Sequence, residues 1–215
     1  MLDKSSTAAA EAQAEDAKVN ELGGLDLLDS GVRHARRGWR IFPVDGKKVP
    51  LTPHGFKDAT TDEARITAWA RRWPGANWAL AIGDGLLVID CDNKRGSNGI
   101  HEFERLQGCK PEEFNAPRVR TGSAGVHVYT DPGTRDFKNS ESVIAPGIDT
   151  RAANVGYALL PSGNGWYRWE TSPDTPLPPT PAWAEAVLQT NDADIGIALV
   201  SSRPYSGPPN TATCC

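Results

Sequence analysis

Leu86-Leu87-Val88-Ile89-Asp90-Cys91-Asp92 reads as a strand that leaves a hydrophobic core and ends in two acids. The run of four large aliphatic residues delivers the strand to the core. Side chains at i and i+2 of a strand share a face, so Asp90 and Asp92 are expected side by side. Two carboxylates so placed raise each other's pKa. A hard divalent cation between them would offset that repulsion. The same residues, continued by Asn93, also fit a strand running into an exposed Asp/Asn turn.

Outward from this stretch the chain alternates short strands with turn signals. Trp78–Ile82 and Leu86–Asp90 flank Gly83-Asp84-Gly85, a hairpin pattern. Arg118–Thr121 and Val126–Asp131 flank Gly122–Gly125 as a second hairpin, and Ile148–Arg151 with Tyr157–Leu160 suggest a third. Trp39–Val44 and Trp166–Glu170 are further short strands. Helices are expected over 25–38, over 62–73 with Thr61 or Asp62 as cap and Pro74 as stop, over 100–108, and briefly over 181–188. Residues 47–61 read as a long loop, and 171–181, with five prolines, as a linker. Strands outnumber helices and are joined mainly by hairpins. The fold class is therefore α+β, a largely antiparallel sheet with flanking helices. Residues 1–24 form a polar leader, 25–190 the folded domain and 191–215 a flexible tail.

The 215 residues suffice for one domain with tails. No apolar run approaches the ~20 residues of a membrane span, and no apolar stretch follows a basic one at the N-terminus. No membrane association or secretion signal is expected. The four cysteines form no CxxC pair and no His/Cys cluster, so no zinc is expected and a reducing cytoplasm fits. The net charge of -4 hides an uneven distribution. Residues 30–57 carry seven basic side chains, among them Arg36, Arg37, Arg40 and Lys57, against Asp45 alone. That +6 segment suits phosphate contacts, and equally a solvated helix face followed by a loop.

Two more stretches carry chemistry. In Arg120-Thr121-Gly122-Ser123-Ala124-Gly125-Val126-His127-Val128-Tyr129, the Gly/Ser turn can aim backbone N–H groups at an anion. His127 points opposite to Val126 and Val128. In Gly147-Ile148-Asp149-Thr150-Arg151 a third aspartate follows an apolar residue, with an arginine two positions on. A plain hairpin with a surface histidine, and a surface Asp–Arg pair, describe the same residues.

In this order the motifs resemble the archaeo-eukaryotic primase superfamily, and within it the N-terminal domain of bifunctional DNA primase/polymerases of phages and plasmids. The matching elements are hydrophobic-Asp90-x-Asp92, Ser123-x-x-x-His127 and hydrophobic-Asp149. Phe42-Pro43-Val44, Gly46-Lys47-Lys48, His54–Thr61, Asn77–Gly83 and Gly156–Gly163 fit the family's flanking text. The resemblance covers roughly residues 26–188. It implies a palm-like sheet similar to an RNA-recognition fold, with an N-terminal α/β unit.

The resemblance further implies template-dependent nucleotidyl transfer that makes or extends primers on single-stranded DNA. A primer 3′-hydroxyl would attack the α-phosphorus of a nucleoside triphosphate, with Asp90, Asp92 and Asp149 holding two Mg²⁺ or Mn²⁺. Ser123, Gly125 and His127 would hold the triphosphate. Arg120, Arg151 and Tyr157 are further nucleotide-binding candidates, and Lys57, Arg36, Arg37 and Arg40 candidates for template or nucleotide contact. The expected partners are template and primer DNA, nucleoside triphosphates and a fused or separate helicase module. The expected setting is the cytoplasm of a bacterial host, within a phage or plasmid replication protein. The family's zinc element, helical initiation module and helicase motifs are not found in this sequence. Two other classes share the motifs: a metal-dependent phosphoesterase or nuclease, and a catalytically silent single-strand-binding module that stacks bases on tryptophans such as Trp69, Trp73 and Trp78, although the seven tryptophans fit core positions better.

Overall fold

The strand that begins at Leu87 lies inside a sheet, with an acid row on one face and the core on the other. A computed structural model describes residues 27–83, 85–93, 96–162 and 165–187. The expected leader 1–24 and tail 191–215 lie outside them. In chain order the elements are α1 (Leu27–Arg36), β1 (Ile41–Val44), a 3-10 turn (Gly55–Asp58), α2 (Glu63–Arg72), β2 (Asn77–Ala81), β3 (Leu87–Cys91), α3 (Gly99–Gln107), β4 (Arg118–Arg120), β5 (Val126–Thr130), β6 (Ser140–Ala145), β7 (Ile148–Arg151), β8 (Tyr157–Leu159), β9 (Arg168–Thr171) and a second 3-10 helix (Ala182–Val187). The strands form a three-stranded sheet, β1-β2-β8, and a six-stranded sheet, β6-β7-β3-β5-β4-β9. The pairs β1–β2, β3–β5, β3–β7, β4–β5 and β6–β7 are antiparallel, as the α+β reading expects of a largely antiparallel sheet. No helix among the described residues is long and apolar enough to cross a membrane.

By packing, the chain divides into two units. One ends at Leu80 and resumes over Leu159–Glu170; the other takes Ala81–Ala158 and resumes at Thr171. In the first, β1 is buried throughout and pairs with β2, Ile41 opposite Leu80 and Val44 opposite Asn77. Pro43 is tolerated because β1 is the edge strand. The 47–61 loop covers that edge: Ile41 and Thr60 exchange backbone bonds of 3.0 Å, and Leu51 N–H donates to the Pro43 carbonyl (3.0 Å). Asp62 caps α2, its Oδ1 accepting from the N–H groups of Ala64 (2.8 Å) and Arg65 (3.3 Å). Helix α1 lies on Trp78, whose Nε1 donates to the Leu27 carbonyl (2.6 Å). A Cβ at Gly31 would stand 2.7 Å from that indole, so the close approach needs glycine.

In the second unit alternation sets the faces. Leu87, Ile89 and Cys91 of β3, Val126 and Val128 of β5 and Ile148 of β7 join one apolar cluster. Phe103 of α3 and Trp183 of the last 3-10 helix pack into it edge to face, ring centroids 5.7 Å apart. Helices cover this face of the sheet, and its opposite face carries Asp90, His127 and Asp149.

Two expected hairpins are corrected. Trp78–Ile82 and Leu86–Asp90 do not pair: β2 and β3 belong to different sheets. Ile148–Arg151 and Tyr157–Leu160 part in the same way, β7 to the six-stranded sheet and β8 to the other. A further strand, β6, is not among the expected strands. Its Ser, Glu and Ser residues conceal a segment that pairs with β7 across Pro146-Gly147, with Gly147 at φ +79°. The 118–131 hairpin is present, Arg120 opposite Val126. A Gly-rich connection between two apolar runs marks a reversal of the chain; it does not say which strand the returning segment will pair with.

Candidate active site

Register builds the centre of the site. Asp90 on β3 lies directly opposite Asp149 on β7 and, on its other side, opposite His127 on β5. Directly opposed residues share a face with Cβ atoms about 5 Å apart. The three therefore form a row across three adjacent strands.

Asp92 joins the row from just beyond β3. Its N–H donates to the Gly147 carbonyl (2.8 Å) and its carbonyl accepts from Gly99 N–H (2.9 Å), which ties it to the β6–β7 turn and the start of α3. A Cβ at Gly99 would meet Gly147 O at 2.3 Å, so only glycine admits this approach. Ligand atoms of Asp90, Asp92 and Asp149 all lie within 4.8 Å of one another, and all three residues are buried. An exposed Asp/Asn turn is thereby excluded. Cys91, between the two acids, faces the apolar core; burial first, then the flanking carboxylates, pushes its thiol well up, so it offers no thiolate to the site.

The electrostatics are unfavourable without a cation. Ionised carboxylates with oxygens within 4.8 Å of one another repel on the order of 3 kcal/mol per pair at an effective dielectric of about 20. Burial raises the Asp149 carboxyl above its ordinary value. The N–H of Ser142 and the charge of Arg151 oppose that rise, and Asp90 and Asp92 add to it. Arg151 Nη2 donates to Asp149 Oδ2 (3.1 Å) and Asp90 Oδ2 (3.3 Å). Ser142 N–H donates to Asp149 Oδ1 (2.9 Å). Asp90 Oδ1 is buried and accepts no hydrogen bond, with His127 Nε2 at 3.5 Å. An orphaned carboxylate oxygen beside two further carboxylates is a donor set for a hard divalent metal, which these residues can hold.

The Gly/Ser turn closes on itself more than the sequence suggests. Thr121 Oγ1 accepts from Gly125 N–H (3.1 Å) and the Thr121 carbonyl from Ala124 N–H (3.1 Å). Two of the turn's amides are thus engaged internally, and Gly122 and Ser123 stand exposed at its tip. Gly125 has a packing role: a Cβ there would lie 2.6 Å from the Cys91 carbonyl. Arg120 Nη2 is held by Glu112 (3.0 Å). Tyr157 sits on β8, in the other sheet from Asp149.

In the basic segment, Arg36 makes a two-bond pair with Glu63 (2.9 and 3.2 Å), Arg37 donates to the Arg33 carbonyl (3.1 Å), and Arg40 donates twice to the Ala59 carbonyl (3.0 and 3.2 Å). Lys57 is exposed in the first 3-10 turn. Trp69 and Trp78, candidates for base stacking, are core residues; Trp166 is the tryptophan that stands 66% exposed.

Several site residues carry no sequence signal. Ser142 lies in a bulge of β6, where the register shifts between Ser140 and Ala145, and its φ of +53° aims an N–H at Asp149. Asn93 Nδ2 donates to the Ala124 carbonyl (3.4 Å), tying the end of β3 to the Gly/Ser turn. Gly147 is visible in the sequence only as part of a Pro-Gly pair.

No curated relative matches the chain. The family described as bifunctional DNA primase/polymerase, N-terminal, matches residues 31–183, a span that holds every residue of this acid row and most of both units. With that match over more than half of its length, the chain belongs to the bifunctional DNA primase/polymerase N-terminal domain family.

Proposed function

We propose that this chain is a template-dependent nucleotidyltransferase that makes or extends primers on single-stranded DNA, within a phage or plasmid replication protein. Family membership supports a primase/polymerase-type nucleotidyltransferase acting on DNA and nucleotides. The observation that carries the reading is the buried triad Asp90, Asp92 and Asp149, with Asp90 Oδ1 left without a hydrogen bond.

In this reading the three carboxylates hold two Mg²⁺ or Mn²⁺. Bound there, the ions supply Lewis acidity for attack of the primer 3′-hydroxyl on the α-phosphorus and for departure of pyrophosphate. The chain's own residues bind and orient. His127, beside Asp90, donates to the triphosphate; Ser123 and the tip of its turn complete that cradle. Arg120 and Arg151 neutralise phosphate charge, and Tyr157 contacts the sugar or base. Lys57, Arg36, Arg37 and Arg40 guide the template.

A labelled primer on a single-stranded template, with Mg²⁺ or Mn²⁺, tests the reading. The expected result is lengthening that requires nucleotides and falls at least about 100-fold in Asp90→Asn, since metal-site stabilisation is worth several kcal/mol. Shortening without nucleotides would mean a nuclease. A gel shift without either product would mean a silent binding module.

A further inference from the structure

The donor set of the acid row has a built-in occupant. Asp90 and Asp149 offer four carboxylate oxygens. Arg151 Nη2 binds one on each residue, at 3.3 and 3.1 Å, Ser142 N–H binds a third, and only Asp90 Oδ1 accepts nothing. A divalent ion that draws on both carboxylates therefore competes with a guanidinium for their negative charge and for the space beside the two Oδ2 atoms. Arg151 is also the partner able to leave: its side chain is 30% exposed, against 11% for Asp90 and 6% for Asp149. The aspartates cannot move apart, because strand register fixes them opposite one another.

We propose that Arg151 is the counter-cation of the metal-free site, and that a divalent ion must displace it from Asp90 and Asp149 to bind. This rests on the metal reading of the triad. Arg151 lowers the repulsion within the acid row and by the same contacts weakens metal binding. A guanidinium released from carboxylates is left to pair with another anion. Phosphates of an incoming nucleotide are the anions the proposed reaction brings. Nucleotide and metal then favour each other's binding, because the phosphates hold Arg151 away from the oxygens the metal takes.

Mn²⁺ binding, followed by calorimetry and by the loss of the free-ion paramagnetic signal, tests the proposal on wild type, Arg151→Met, Arg151→Lys and Asp90→Asn. Arg151→Met is expected to melt lower than wild type without metal and to bind Mn²⁺ at least tenfold tighter. Arg151→Lys, which keeps a cation but loses the planar fork, should fall between. A nucleoside triphosphate should tighten Mn²⁺ binding in wild type beyond what the nucleotide binds by itself, and do so less in Arg151→Met. An Arg151→Met protein that folds only with Mn²⁺ present is the strong form of the same result.

Equal Mn²⁺ affinity in wild type, Arg151→Met and Arg151→Lys overturns the proposal and leaves the metal reading standing. Weaker binding in Arg151→Met overturns it too. Arg151→Met unfolded with or without Mn²⁺, together with wild-type affinity in Arg151→Lys, also overturns it. No Mn²⁺ bound by wild type, or binding undiminished in Asp90→Asn, overturns the metal reading itself.

Discussion

Two buried histidines show how differently the two units use one residue type. His34, in the first unit, lies parallel to Trp39 at 5.7 Å between ring centroids and tilted against Trp169 at 6.2 Å. Its Nε2 stands 3.4 Å from the Pro161 carbonyl, and its Nδ1 has no hydrogen-bond partner. Burial lowers its pKa to about 4, with the Pro161 carbonyl opposing and Arg37 adding to the fall. It is a neutral aromatic piece of a core. His127, equally buried, stands 3.5 Å from Asp90 in the acid row. Burial alone does not say what a histidine does; the partners that register supplies do.

Breaking the comparison on the structural side should give the largest effect. His34→Ala empties a site walled by two tryptophans, and truncating a large buried side chain costs about 2–5 kcal/mol. The melting temperature should fall, while catalytic efficiency per folded molecule stays at wild type. A loss of nucleotide affinity in a folded His34→Ala protein would undo the distinction.

Acid sharpens the same point. The unfolded chain takes up a proton at His34 from about pH 6.5, the folded chain only near pH 4. Protonation therefore favours unfolding. This contribution is whole above pH 6.5 and is lost as the pH falls, by about 3 kcal/mol at pH 4. Denaturant midpoints between pH 7 and 4 should show the slope, and His34→Gln, which does not titrate, should flatten it.

On the site side, His127→Ala would remove the proposed hydrogen bond to the triphosphate, a bond to a charged group worth about 1.5–3 kcal/mol. That is roughly 10- to 100-fold in catalytic efficiency for the nucleotide. DNA affinity measured without nucleotide should barely move, while the melting temperature falls as well, because His127 is as buried as His34. Unchanged nucleotide kinetics with a collapse in stability would make His127 a second His34.

The smallest effect is expected from Arg36→Ala. Its pair with Glu63 is exposed on both sides, and such a pair gains little over solvent. The melting curve should overlay wild type. If the basic segment binds template, neutralising Arg37 and Lys57 should instead flatten the salt dependence of single-strand binding, by roughly 0.7 for each phosphate left without its cation.

β3 shows where sequence reading succeeds. Its run of aliphatic residues, its period of two and its terminal acids are local properties. They are enough to place Asp90 and Asp92 side by side and to set Cys91 against them. α2 is equally legible, because Asp62 and Pro74 mark its ends chemically. The sheet to which β2 and β8 belong is not legible, since turn residues report a reversal and not a partner. Ser142 is hidden because a bulge is a property of two strands together.

The sequence by itself determined the α+β class, most element positions and, through the order of its motifs, the family. Periodicity, capping and motif spacing are all written within a few residues of one another. Only the tertiary structure decided that Asp149 and His127 flank Asp90, that Arg151 bridges two of the acids, and that all three acids are buried. Each of those facts is a register or a burial. Both are fixed when segments far apart in the chain pack against one another, where side-chain volume and hydrogen-bond pairing across the whole sheet outweigh any local preference.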